Sequence, residues 1–365
     1  MSFIFNSNKS PKKILVISAI IALFFILYLS SLFSFTIQQN DFSCAKLNDN
    51  TSHLLPLNIP SLSISATKNS LFTDFNRLSS SPTKAKQKKE KVLVLTPLKD
   101  AERYLDRYFE LLDRTSYPNH LISIGFLVSD SSDNTLGSLE RHIHQLQSRN
   151  KWNWQHQPFD SIKIYQKDFD FELPSERRHT YEMQPLRRSI MARSRNWLLS
   201  AAMRADISWV AWIDVDVVEY PVSIFEDLMA ADGDVVVPNC LLQREDHAFW
   251  AYDKNNWQET DESRKIQETL EDDFVLLEGY YEFPTHRYLM VDMPTDVPKD
   301  HKVPLDGVGA TFTLVKAHVH REGANFPAYT YQHQVETEGF AKMAKSMGFS
   351  VYGLPGYIIY HIQND

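Results

Sequence analysis

Trp209-Val210-Ala211-Trp212-Ile213-Asp214-Val215-Asp216 is an apolar run that stops on two acids one residue apart. Side chains two apart in an extended chain point to the same side, so the run predicts a buried strand whose end presents Asp214 and Asp216 together. Carboxylate oxygens at such an edge suit Mn²⁺ or Mg²⁺, hard cations that share their shell with substrate phosphates. A diphosphate bound to such a cation leaves easily, because its developing charge is neutralised. Asp-x-Asp alone is a common pattern that two solvated turn acids also satisfy. The apolar run ahead of it and the topology of the chain are what give it weight.

The neighbouring sequence supports a strand-and-helix alternation. Val92 to Pro97, Leu121 to Val128, Ser161 to Tyr165 and Val235 to Pro238 read as further strands. Ala101 to Arg114, Leu136 to Leu146 and Arg187 to Ala205 carry helical spacing. This order predicts an α/β fold with a mostly parallel sheet covered on both faces, ligands sitting at the carboxyl ends of the strands. No G-x-G-x-x-G follows the first strand and no G-x-x-x-x-G-K-[ST] occurs, so neither a dinucleotide site nor a P-loop has support.

Upstream, Ile14 to Phe35 is a 22-residue uncharged apolar run with Lys9, Lys12 and Lys13 before it. That length crosses a bilayer as a helix, and the flanking lysines place residues 1–13 in the cytosol as the tail of a type II signal-anchor at 14–35. A cleaved signal peptide is the rival reading, with a shorter apolar region and a cleavage site as its marks. Residues 36–90, rich in serine and closing on lysines, read as a lumenal stem containing Cys44 and one sequon at Asn50. Residues 91–365 form one catalytic-sized domain. Of 38 basic and 46 acidic residues, residues 1–91 hold 11 and 4, which leaves 27 and 42 for the rest. A lumenal domain near -15 is a poor partner for a nucleic-acid backbone, so no nucleic-acid role is expected.

Several other residues are candidates. Arg187, Arg188, Arg193 and Arg195 open the helix before the Asp-x-Asp strand, and guanidinium groups pair bidentately with phosphate or carboxylate. Arg187 or Arg188 is expected to grip a donor, the alternative being a solvated helix face. Pro97 and Asp130, at the ends of the first two strands, join them and Asp214 as donor-site candidates. His361 ends the apolar run Tyr357 to Tyr360 and is either a metal ligand or a hydrogen-bonded surface histidine. Asp306, in a glycine-containing turn, is either a catalytic acid that orients an acceptor or an ordinary turn aspartate. Asp253 and Glu338 are weaker acceptor candidates. Cys240 and Cys44 give no readable pairing.

Taken together these segments resemble the fungal mannan polymerase glycosyltransferases (Anp, Mnn-nine and Van type) and look closest to the Mnn-nine subunit. Thr96 to Ala101, Val128 to Asp133, Arg193 to Asn196, Trp212 to Asp216, Asp306 to Thr311, Glu338 to Ala344 and Gly353 to His361 carry the likeness. The resemblance implies a GT-A-type nucleotide-sugar-binding fold, GDP-mannose as donor, Mn²⁺ (or Mg²⁺), and α-1,6-mannosyl transfer to the N-glycan outer-chain mannan backbone. It implies a Golgi membrane location, with the endoplasmic reticulum as the other possible compartment, and hetero-oligomeric partners. Asp214, Asp216 and His361 fall on the family's metal ligands and Arg187 on a donor-site arginine. An α-linked donor giving an α-linked product means retention. With no evident nucleophile beside the acids, front-face transfer is the expected route. Two other readings remain open: a mainly structural subunit with little activity of its own, and a metal-dependent phosphohydrolase.

Overall fold

The computed structural model describes residues 73–148, 157–177, 180–246 and 249–363. The predicted anchor at 14–35, Cys44 and Asn50 lie outside the described residues. Among those described, no helix is long and apolar enough to cross a membrane.

Two short β-strands pair apart from the main sheet: β7 (Trp257–Gln258) and β8 (Tyr288–Leu289). The main sheet contains β1 (Lys91–Leu98), β2 (Ile122–Val128), β3 (Ser161–Gln166), β4 (Ile207–Ile213), β5 (Val217–Glu219), β6 (Val235–Leu242), β9 (Val303–Pro304), β10 (Phe312–Lys316) and β11 (Val351–His361). Among the described residues its order is β3-β2-β1-β4-β10-β6-β11-β5, with β9 also paired to β11. The long ladders β2–β3, β1–β2, β1–β4 and β6–β11 are parallel, as expected. The apolar run after Gly309 enters between β4 and β6 as an antiparallel strand, so the sheet is mixed at its centre.

The helices are α1 (Leu105–Asp113), α2 (Thr135–Gln147), α3 (Gln184–Ala202), α4 (Ile224–Ala230), α5 (Asp261–Gln267), α6 (Ala317–Arg321) and α7 (Glu336–Ser346). Pro185 sits in the first turn of α3, where its missing N–H costs nothing, and the helix starts three residues earlier than its apolar spacing predicts. Alternate residues of each central strand feed opposite layers. Val92, Val94, Trp209 and Ala211 pack under α1, α2 and α4. Leu93, Leu95, Val210 and Trp212 pack under α3 and α7. Both faces are buried, which is why these strands read as unbroken apolar runs rather than alternating ones.

The last part of the predicted stem is folded onto this domain. Glu90 is buried and accepts from Ser79 Oγ at 2.6 Å, Ser81 N at 2.8 Å and Trp209 Nε1 at 2.8 Å, while Ala85 is buried in the core. The charged stretch 258–273, which reads as an exposed helix, contains a helix of only seven residues, and Glu259 just before it is buried against Lys342 at 2.8 Å.

The α6 residue His320 fixes its own tautomer. Its Nδ1 lies 2.8 Å from the Ala324 carbonyl, which can only accept, and Trp212 Nε1 donates to its Nε2 at 3.2 Å. Phe326 and Phe340 pack on the ring. Burial lowers this imidazole from 6.5 to about 4. Between those values the unfolded chain binds a proton that the folded chain refuses, so this contribution is complete above pH 6.5 and is lost as pH falls toward 4. Chemical denaturation at pH 7 and pH 4.5 should show a loss of up to roughly 3 kcal/mol from this residue. A His320→Gln chain should be less pH-dependent across the same window.

Candidate active site

β4 ends where its antiparallel ladder with β10 ends, at the Ile213–Phe312 pair, and Asp214 N still donates to Thr311 O at 3.1 Å. The chain then turns: Val217 N reaches back to Asp214 O, and β5 sets off along β11. Asp214-Val215-Asp216 is thus a turn, not the extended segment its two-residue spacing suggested. The acids face a common region because the turn curls, rather than because the strand continues. Thr96 Oγ1, at the end of β1, donates to Ile213 O at 2.7 Å and holds the turn from the other side. Ile362 N donates to Asp216 O at 3.1 Å and brings the end of β11 alongside.

That contact delivers His361. Its Nε2 lies 2.9 Å from Asp216 Oδ1, and its Nδ1 lies 2.5 Å from the Ile362 carbonyl. Burial pulls the imidazole down, but the Asp216 carboxylate overrides it and the net shift is upward. Asp214, with a third of its side chain open to solvent, faces Arg195 Nη2 at 3.3 Å. Partial burial pushes the Asp214 carboxyl above its usual range; Arg195 and His361 oppose the rise and the Asp216 charge adds to it. Arg195 also donates from Nε to Glu336 Oε1 at 3.0 Å, and that carboxylate is buried. Glu336 adopts a left-handed backbone, φ 55°, which a non-glycine residue takes only when its surroundings hold it there.

The donor set fits a divalent cation. A carbonyl only accepts, so Nδ1 of His361 carries the hydrogen and Nε2 turns its lone pair, or a second proton, toward Asp216. A lone pair against a carboxylate needs a positive charge between them, either a proton or a metal ion. Two carboxylates and an imidazole are suitable Mn²⁺ ligands. Asp214 is turned to Arg195, and among the described residues no three such groups already close on one point.

Pro97 stands level with Asp214 if the β1–β4 register is continued past Leu95–Trp212. Arg187 is half-buried in the first turns of α3, with Nη1 3.3 Å from Gln184 Oε1. Arg188 is not free to grip a donor: it is buried, paired with Glu338 and 3.3 Å from Asn255 Oδ1. Glu338, expected near an acceptor, is fully buried in that pair and accepts from Trp257 Nε1 at 2.8 Å. Asp130 is occupied by loop backbone, accepting from Phe169 N and Asp170 N at 3.1 Å. Asp306 holds Lys345 and accepts from Glu259 N at 2.8 Å, its partners lying outside the Asp214 group. Asp253 is buried, accepts from Thr311 Oγ1 at 2.9 Å and Asn255 N at 3.1 Å, and pins its loop. Cys240 is a buried free thiol beneath them.

The pairing of Arg195 with Glu336 and the ring of Tyr252 on His361 were not legible. Arg195 stood among four arginines with nothing to separate it, and nothing in the local sequence marks Glu336 as its partner.

The Anp1 family model matches residues 70–330. The chain is 43% identical over 282 residues to the mannan polymerase II complex anp1 subunit of Schizosaccharomyces pombe, covering 75% of this chain and 64% of that one. It is 40% identical to the mannan polymerase II complex ANP1 subunit of Saccharomyces cerevisiae, covering 76% and 56%. It is 38% identical to the mannan polymerase complex subunit MNN9 of Candida albicans, covering 79% and 78%. It therefore spans under two thirds of the length of the two Anp1 subunits, and the likeness extends to Anp1 and Mnn9 subunits alike. Among solved structures, the mannosyltransferase PcManGT from Pyrobaculum calidifontis in complex with GDP-Man and Mn²⁺ aligns over 78% of this chain and 59% of that one, at 12% identity and TM-score 0.41.

Arg195→Met removes the cation from two carboxylates at once and should cost about 3–5 kcal/mol in urea unfolding. Adding Glu336→Leu should recover part of that loss. Gly309→Ala should cost about 2–3 kcal/mol by the same measurement, because a Cβ there would lie 2.0 Å from Asp253 Oδ2.

Proposed function

The chain belongs to the Anp1 family, and from that premise we propose that it is a glycosyltransferase of the GT-A type working within a mannan polymerase complex. The reaction is transfer of mannose from GDP-mannose in α-1,6 linkage, with retention, to the outer-chain mannan backbone of N-glycans. The observation that carries this reading is the Asp216–His361 pair, Oδ1 to Nε2 at 2.9 Å, with Asp214 on the same turn at the carboxyl end of the sheet. The names of the relatives, each a mannan polymerase subunit, support the substrate class and the expectation of partner subunits. The location is the Golgi membrane, with the endoplasmic reticulum as the other compartment, the 14–35 span as a type II anchor and the domain lumenal. Asn50 is then on the glycosylated side.

In this reading Asp214, Asp216 and His361 hold Mn²⁺, with Mg²⁺ as the possible substitute. When bound, the ion supplies charge neutralisation for the departing diphosphate. The protein's own contribution is placement. Thr96 and the β10 ladder fix the turn, the Arg195 charge favours the ionised form of Asp214, and Asp216 orients the imidazole. Arg187 remains the arginine for the donor phosphates, since Arg188 is engaged with Glu338. In front-face transfer the departing phosphate oxygen accepts the proton of the acceptor hydroxyl while the new C–O bond forms. No protein nucleophile is then required.

The full chain, with its partner subunits, should transfer mannose from GDP-mannose to a mannobiose acceptor in the presence of Mn²⁺. Asp214→Ala and Asp216→Ala should each lower that rate at least ~100-fold while thermal melting stays cooperative. Full activity of either variant at saturating Mn²⁺ would sink the metal-site reading. Complex activity unchanged by both variants would identify the chain as a mainly structural subunit. Release of sugar phosphate or nucleotide without any acceptor would identify a phosphohydrolase.

A further inference from the structure

One aromatic side chain beside the candidate metal site has no part in the mechanism above. Tyr252 lies face to face with His361, ring centroids 3.8 Å apart and planes 16° apart. Aromatic pairs usually settle at centroid distances of about 4.5–7 Å in offset or edge-on arrangements. Close parallel stacking is favoured when one ring is electron-poor, and an imidazole that carries a proton or a metal ion is electron-poor in the way a cation over a phenol is.

The geometry restricts His361 in two independent ways. The Nδ1 hydrogen bond to the Ile362 carbonyl selects which nitrogen faces Asp216. That bond alone leaves the ring free to rock about the Nδ1–O line, and a flat surface against its face stops the rocking. Tyr252 supplies the surface, and its own backbone is firmly seated. The segment that carries it runs antiparallel beside the end of β6: Leu242 N donates to Trp250 O at 2.8 Å, Ala251 bridges Leu241, and Asp253 N donates to Cys240 O at 3.2 Å. The buried Asp253 carboxylate then ties the same segment to Thr311, two residues beyond Gly309. The β6 strand that anchors Tyr252 is also the parallel partner of the β11 residues ending in His361, so both rings are hung from one strand.

We infer that Tyr252 is a positioning residue whose ring, rather than its hydroxyl, holds the His361 imidazole in the plane that metal binding requires. The inference rests on the metal-site reading of Asp214, Asp216 and His361. Residues that orient a metal ligand from outside the first shell commonly change affinity 10- to 100-fold when removed.

The test is Mn²⁺ affinity of the full chain in detergent, read from the free-ion electron paramagnetic resonance signal, with thermal melting in EDTA beside it. Tyr252→Phe keeps the ring and should bind Mn²⁺ within about two-fold of the native chain. Tyr252→Leu keeps the volume without the flat face and should bind at least about ten-fold more weakly, with an EDTA melt close to that of the Phe chain. Tyr252→Met, a flexible filler, should behave as Leu does, so the comparison does not depend on how one substitution folds. Leu and Met chains with native affinity would overturn the inference. Phe and Leu chains weakened alike would also overturn it, because the hydroxyl would then be the acting group. His361→Ala separates the two levels of the argument: native Mn²⁺ affinity in that chain would overturn the metal-site reading itself, and Tyr252's role with it.

Discussion

A single buried guanidinium decides the shape of the site. Arg195, hidden between the sheet and α7, forks between Asp214 on the turn after β4 and Glu336 at the head of α7. A charge taken out of water at such a cost persists only where its partners are well placed, and here Asp214 lies 19 residues and Glu336 lies 141 residues along the chain from the arginine. Placing them anchors α7 against α3, holds Glu336 in a strained backbone and keeps one of the two key acids from wandering. Trp212 and Phe326 line the guanidinium with their rings, which gives the buried cation a second, softer set of contacts.

Around that centre lies a larger set of buried ion pairs. Arg287 stacks at 3.6 Å over Trp257 and pairs with Glu278 at 3.0 Å; Glu338 reaches Arg188 on α3 and Trp257; Lys342 reaches Glu259. These contacts join the 253–290 segment, α3 and α7 into one polar interlayer. They explain why several acids and arginines that read as ligand groups in the sequence turn out to bind one another. Arg188, Glu338 and Asp306 belong to this scaffold.

How much was readable follows from the same physics. The central strands and the covering helices were legible because burial on both faces leaves unbroken apolar runs such as Val92 to Leu95. That Asp214 and Asp216 stand at the end of a buried strand was legible, but the turn that carries them was not, since nothing in the spacing distinguishes a strand end from a turn. The antiparallel direction of β10 depends on where the intervening segment returns it, and no local pattern records that. Arg195 could not be told from its three neighbouring arginines, and Glu336 and Tyr252 were invisible as site residues, because their value lies in distant partners. His361 was ambiguous from composition alone, and became readable only through the resemblance carried by the whole ending from Glu338.

The position of β10 has a consequence for biosynthesis. β1, β2 and β4 are made early, yet the strand that covers the open side of β4 follows only after the whole 217–311 stretch, and Glu336 emerges 141 residues after Arg195. At roughly 5–20 residues per second, a nascent chain spends about 5–20 s with the β4 edge uncovered and about 7–30 s with an arginine awaiting its second carboxylate. During that interval the half-sheet is open to pairing with any other extended chain. Of the two neighbours of β4, β10 is therefore the one that must close the sheet last.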